Sequence, residues 1–209
     1  MRSCLCLAVW LYGLSACNGT TNEAITEFIN DNGHTFTLSS VRTPKNSVIQ
    51  TCVYVPLTAD EISDANTQME QLIELMRWQG KVTKLAEPTL SYNCHSYAWH
   101  KQSPSPNEKA WINRYRIDPK TGNTTSVLNL DKYWNDGSYK SITTVTDGSI
   151  PSGIPNNAKV FYPGGDHSAI KVSGTAFVSK WGLAGLYRHE PMACPDKNNN
   201  LIQYFKKNN

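Results

Sequence analysis

The clearest hydrophobic pattern lies between residues 58 and 80. Apolar residues recur every three or four positions along one helical face. Thr58 and Glu61 have the spacing of a capping box, and Gly80 provides a stop signal. We therefore predict an amphipathic helix over residues 59–79 that packs one stripe against the core and has no chemical role.

Elsewhere, alternation of apolar and polar residues with a period of two predicts strands. A tight hairpin is predicted at Ser173-Gly174. A short helix is predicted at 24–30, and the segment 201–205 is predicted to close the sheet as an edge strand. The remaining predicted strands are 35–40, 48–55, 159–162, 167–172 and 175–181.

Residues 102–154 show little periodicity and are rich in Pro, Gly, Asn and Ser. Long irregular connections often line binding clefts. Within this region, residues 133–139 form an aromatic segment that we interpret as a binding loop. We predict that Trp134 and Tyr139 from this loop, together with Trp181, contact the substrate.

Length and charge limit the classes of function. A chain of 209 residues with 39% hydrophobic residues suits one domain. The formal net charge of +3 is scattered and does not favour nucleic acid. No histidine spacing suggests a metal site, no cofactor motif is present, and we expect a monomer.

The first seventeen residues resemble a bacterial lipoprotein signal. Arg2 precedes an apolar run that is too short to span a bilayer, and the segment ends in Leu-Ser-Ala-Cys. This pattern predicts lipidation of Cys17 and anchoring in the bacterial cell envelope. Simple secretion is the alternative.

An exported chain would keep three further cysteines, Cys52, Cys94 and Cys194. In an oxidising compartment we favour a disulfide between Cys52 and Cys194, which leaves Cys94 free. Three reduced thiols are the alternative.

Two short segments have the chemistry of a thiol nucleophile and its base. Cys94 lies in Tyr92-Asn93-Cys94-His95-Ser96, where a helix is predicted to begin, and a helix start favours ionisation of a thiol. His167 follows a glycine turn and begins a predicted strand. A cysteine and a histidine in these positions can act as a catalytic pair.

These two motifs, in this order, resemble those of the NlpC/P60 group of papain-like cysteine peptidases and amidases. The resemblance implies an α+β fold, with N-terminal helices packed on an antiparallel sheet. Residues 1–17 would be the signal, 18–57 a tether with a small β element, and 58–209 the catalytic domain.

The resemblance also implies hydrolysis of a peptide or amide bond in peptidoglycan stem peptides, with Cys94 as nucleophile and His167 as general base. Ser179 falls where the family has its third catalytic residue. The backbone N–H of Cys94 and a second donor, for which Tyr92 is our candidate, would bind the oxyanion.

Three alternatives remain open from the sequence. His95 is a rival base, although adjacent helical residues do not usually face each other. The second alternative is a non-catalytic envelope protein that binds glycan or peptide through aromatic loops. The third alternative is an acyltransferase that uses the same Cys94 and His167 pair.

Overall fold

The computed structural model describes residues 26–103, 107–195 and 200–208. The predicted signal segment and the lipidation at Cys17 lie outside these ranges. Within them, no helix has both the length and the apolar character needed to cross a membrane.

The described residues form three sheets. The strands are β1 (Glu27–Ile29), β2 (Thr35–Arg42), β3 (Val48–Tyr54), β4 (Val82–Ala86), β5 (Tyr115–Ile117), β6 (Thr124–Leu128), β7 (Tyr139–Val145), β8 (Lys159–Tyr162), β9 (His167–Ser173), β10 (Ala176–Lys180), β11 (Leu186–His189) and β12 (Ile202–Lys207).

The largest sheet has seven strands in the order β4-β11-β10-β9-β8-β12-β7, and every neighbouring pair is antiparallel. β8, β9 and β10 are its buried centre, as their apolar residues predict. β12 pairs with both β7 and β8. The prediction of an edge strand here was wrong, because the sequence does not indicate that β7 lies outside β12.

Strands β1, β2 and β3 form a separate antiparallel sheet ahead of the first helix. The short helix predicted at 24–30 was wrong, since this segment pairs with β2 as β1. The small sheet is joined to the body by the side chain of Gln50. Its Nε2 donates to the carbonyl oxygen of Ile117 at 3.0 Å, and its Oε1 accepts from the Ile117 N–H at 2.6 Å.

Helix α1 spans Ala59–Leu75, and the predicted capping box between Thr58 and Glu61 is present. It ends four residues before the predicted boundary, and Arg77 then adopts a left-handed conformation with φ of 54°. A second short helix, α2, spans Lys132–Asn135. The third helical segment, residues 94–100, is π-helical over Ser96–His100 and is called here the Cys94 helix.

The predicted α+β fold, with N-terminal helices packed on an antiparallel sheet, was wrong. The described chain is mostly β-structure, built on the seven-stranded antiparallel sheet. Of the residues in α1, only Ala65 is buried, so this helix is peripheral. The short Cys94 helix instead packs on the centre of the sheet, where it contacts β8, β9 and β10, and α2 contacts the outer strand β7.

Candidate active site

Asn93 fixes the start of the Cys94 helix. Its Oδ1 accepts from the backbone N–H groups of Ser96 at 3.1 Å and Ile112 at 3.2 Å, and its Nδ2 donates to the Ile112 carbonyl at 2.7 Å. Such a cap satisfies N–H groups that a helix start leaves without partners. The same side chain ties the helix to the neighbouring segment, so Cys94 is held firmly at the first helical position.

The buried face of the Cys94 helix holds the motif against the sheet. Ala98 and Trp99 are each 1% exposed and belong to the main hydrophobic core. The indole Nε1 of Trp99 donates to Ser168 Oγ at 2.8 Å. This bond connects the helix to the beginning of β9.

The turn before β9 delivers three consecutive functional side chains. Asp166 has φ of 49°, a left-handed conformation that Asp tolerates better than most residues. His167 and Ser168 follow as the first two residues of β9. His167 packs near Tyr162, and Ser168 accepts a hydrogen bond from Trp99 of the Cys94 helix.

The thiol of Cys94 lies close to two imidazoles. His95 and His167 both interact with it strongly enough to change its pKa. Burial raises the pKa of Cys94, but the charges and hydrogen bonds of the two histidines outweigh burial and lower it to about 5. Cys94 is therefore ionised near neutral pH, which is the reactive form of a cysteine.

His95 is held by polar groups on its other side. Its Nδ1 lies 2.8 Å from Ser168 Oγ, and its Nε2 lies 3.5 Å from Asp166 Oδ1. Burial lowers the pKa of His95, but the Cys94 thiolate and Asp166 outweigh burial and raise it to about 9. The expectation that His95 would not face Cys94 was wrong, because the tight helix start brings both side chains to one site.

Cys194 lies close to His167. Its thiol is fully buried, and its sulfur acts on the same imidazole as the sulfur of Cys94. Burial lowers the pKa of His167, but the sulfurs of Cys194 and Cys94 outweigh burial and raise this pKa well above 6.5. The His167 ring thus interacts with two sulfurs.

The site opens into a cleft of about 390 Å³, here called the thiol cleft. Cys94 is 7% exposed, so its sulfur lies at the floor. The walls include His95, Asp166, Asn113 and Arg114. Arg114 Nε lies 4.0 Å from Asp166 Oδ1, and the guanidinium also covers the Phe161 ring at 5.3 Å. The charged walls are therefore linked to each other.

Ser179 is not the third member of this site. Because Val178 pairs with Ile170, Ser179 lies level with Ala169 and not with His167. Its Oγ lies 2.8 Å from His189 Nε2. Burial lowers the pKa of His189 to about 3, so this second pair is neutral and structural.

Tyr92 does not serve as an oxyanion donor in this geometry. The side chain is 2% exposed and packs with Val178 and Leu186 in the core. Its hydroxyl makes no hydrogen bond within the described part of the chain. Asn113 and Arg114 are among the side-chain donors that line the thiol cleft.

The three aromatic residues predicted to bind substrate occupy different places. Tyr139 is buried in the main core, and Trp134 packs against it through Trp99 and Phe205. The prediction of a binding loop at 133–139 was therefore wrong for both residues. Trp181 is 2% exposed, but its ring edges a second cleft beside the thiol cleft.

The predicted disulfide between Cys52 and Cys194 is not formed. All three cysteines in the described ranges are free and buried. Burial raises the pKa of Cys52 to about 12, so this thiol is unreactive at neutral pH. Cys194, which sequence reasoning assigned to the disulfide, instead contacts His167.

Within the described ranges, no group of three or more His, Cys, Asp or Glu side chains is arranged to hold a metal ion. Comparison of the chain with protein-family models, curated proteins and solved structures finds no match.

Sequence reasoning missed Asp166 and Cys194 as members of the site. Asp166 had a usable signal, because it directly precedes His167 in the glycine turn. The residues around Cys194 in the sequence do not indicate a role in the site. Cys194 lies beside His167 only because the order of the strands brings its loop there.

Proposed function

We propose that the protein is a thiol-dependent hydrolase that cleaves an amide or peptide bond with Cys94 as nucleophile. The observation that supports this proposal is a cysteine at the floor of a cleft whose pKa is lowered by two neighbouring histidines. A buried thiol with a structural role has no need of a lowered pKa.

In the first step, His167 holds the proton of Cys94, and the thiolate attacks the carbonyl carbon of the substrate. Cys194 acts on His167 as a positioning residue. It has the place that an orienting side chain takes beside the base in other catalytic pairs.

In the second step, the carbon–nitrogen bond breaks and the leaving amine takes a proton. His95 is the suitable donor, because it lines the cleft and its raised pKa keeps it protonated near neutral pH. Asp166 stabilises this protonated form. Neutral His95 then takes a proton from water, the hydroxide attacks the thioester, and the Cys94 thiolate leaves.

The oxyanion formed in both steps needs hydrogen-bond donors. The amide of Asn113 lines the cleft, and its Nδ2 donates to the Cys52 sulfur at 3.5 Å. Sulfur is a weak hydrogen-bond acceptor, so little stabilisation is lost when this amide turns to donate to an oxyanion. We assign it the donor role in place of Tyr92.

The substrate class is proposed on the sequence. The motifs around Cys94 and His167 resemble those of NlpC/P60 enzymes, and the first seventeen residues resemble a lipoprotein signal. Both features favour peptidoglycan stem peptides as substrate and the bacterial envelope as location.

The test is digestion of purified sacculi, followed by mass spectrometry of the released muropeptides. We expect cleavage by the wild type and none by Cys94→Ala, with Thr67→Ala, at an exposed position on α1, as a control that stays active. A parallel digest with added amine distinguishes transfer from hydrolysis. Cleavage that survives Cys94→Ala, or no cleavage by the wild type, contradicts the proposal.

A further inference from the structure

A second cleft, of about 370 Å³, adjoins the thiol cleft and is here called the apolar cleft. Trp111 and Gly182 line both clefts. The two clefts are therefore neighbours that share part of their lining.

The walls of the apolar cleft differ from those of the thiol cleft. They come from the small sheet, from α1 and from the turn after β10, and include Tyr54, Met69, Leu90, Trp181 and Leu183. Its polar lining residues are asparagine, glutamine and histidine, and no Asp, Glu, Lys or Arg among the described residues lines it. Such a surface favours an uncharged apolar group over a charged one.

The border between the clefts is firmly held. The turn after β10 is closed by hydrogen bonds from the Trp181 N–H to the Gly185 carbonyl at 3.1 Å and from the Ala184 N–H to the Trp181 carbonyl at 2.8 Å. Nζ of the fully buried Lys180 donates to the carbonyls of Gly182 at 2.6 Å and Thr89 at 2.9 Å. The apolar cleft is therefore formed before any substrate arrives, which lowers the cost of binding.

We propose that the apolar cleft is a specificity subsite that receives an aliphatic or aromatic group next to the carbonyl that Cys94 attacks. The inference rests on the proposed function, since it concerns the same substrate. It narrows the substrate to one with an apolar group on one side of the reacting carbonyl, while the charged walls of the thiol cleft face the other side.

The test measures alkylation of Cys94 without requiring hydrolysis. Second-order rates are determined by intact mass for iodoacetamide, N-benzyl iodoacetamide and N-carboxymethyl iodoacetamide, each relative to the rate with glutathione. We expect the benzyl reagent to gain about tenfold over iodoacetamide, the order of magnitude for partial burial of an aromatic ring. The carboxymethyl reagent should gain nothing.

Variants of the cleft wall then locate the effect. Leu183→Asp should remove the benzyl preference and leave the iodoacetamide rate unchanged, and Leu183→Trp should do the same by filling the cleft. Leu75→Asp is the matched control, because Leu75 is 78% exposed on α1 and does not line the cleft. It should keep the preference.

The inference is overturned if the benzyl reagent has no preference in the wild type, or if the preference survives both Leu183 variants. The proposed function fails separately, when sacculi are not cleaved or when iodoacetamide at pH 6 reacts no faster than with a free thiol. The benzyl preference is still measurable in that case at pH 9, where an ordinary thiol is also largely ionised.

Discussion

Cys94 has its pKa lowered by the imidazole of His167, although the cysteine begins a helix and the histidine begins a strand far along the chain. The Asn93 cap fixes the first, and the left-handed turn at Asp166 fixes the second. Their proximity is thus a product of two local structures that the seven-stranded sheet brings together.

The lowered pKa of Cys94 predicts its reactivity toward iodoacetamide as a function of pH. A thiol with a pKa of about 5 is ionised above that value, so the alkylation rate should rise through pH 5 and level off by pH 7. The alkylation rate of a free cysteine, with a pKa of about 8.5, would rise about 3.5 pH units later. His95→Ala and His167→Ala should each move the midpoint upward. Labelling of Cys52, counted by peptide mapping, is the internal control and should stay slow, and a wild-type midpoint near 8.5 would contradict the assignment.

The contact between Cys194 and His167 predicts a positioning role that can be separated from a packing role. Cys194→Ser keeps a hydrogen-bonding group, whereas Cys194→Val keeps the volume and loses that group. We expect Cys194→Val to lower kcat about tenfold, which is the typical effect on a rate of losing one hydrogen bond. Cys194→Ser should keep most of the wild-type kcat.

The pH dependence provides the second readout for Cys194. Without its orienting partner, His167 should stabilise the Cys94 thiolate less, so the lower limb of the kcat/KM profile should move to higher pH in Cys194→Val. A Val variant with a lower melting temperature but an unchanged kcat and pH profile would show that Cys194 only packs.

Most of the central sheet could be predicted from the sequence. The segments 159–162 and 167–172 became β8 and β9 almost to the residue, because turn residues bound both, and Gly174, with φ of 47°, closes the hairpin after β9. The capping box of α1 was equally reliable, since it depends on two residues three positions apart.

The errors concern pairings between distant segments. Ile29 and its neighbours have helical composition, but pairing with β2 makes them a strand. Tyr139 lies in a stretch of sequence without clear periodicity, yet its ring is buried in the main hydrophobic core. We predicted that Ser179 would lie beside His167 and that Cys194 would form a disulfide, but the residue beside His167 is Cys194. The order of the strands, and not the spacing along the sequence, determines which side chain lies beside His167.

The pair formed by His95 and Asp166 predicts the upper limb of the activity profile. His95 must be protonated to donate to the leaving amine, and its raised pKa means that activity should fall as pH rises through about 9. Asp166→Asn removes the negative charge that favours protonated His95, so the fall should begin at lower pH while the limb near pH 5 moves little.

Glu108→Gln is the matched control for this prediction. Glu108 also pairs with a histidine, at 2.9 Å from Nε2 of His100, but away from the thiol cleft. It should leave the profile of kcat/KM unchanged. If Asp166→Asn does not move the upper limb of the profile, a group other than His95 is the proton donor.

The cap of the Cys94 helix predicts a loss of stability and of reactivity together. Asn93→Ala removes hydrogen bonds to Ser96 and Ile112 and leaves buried backbone groups without partners, which costs about 1–3 kcal/mol in the free energy of unfolding. Because the cap also sets the position of Cys94, iodoacetamide labelling at pH 6 should slow even under conditions where the variant is fully folded. Asn66→Ala, at an exposed position on α1, is the control and should change neither quantity by much. Urea unfolding and labelling of the same samples measure both effects, and an Asn93→Ala variant that loses stability but labels at the wild-type rate would show that the cap does not position the thiol.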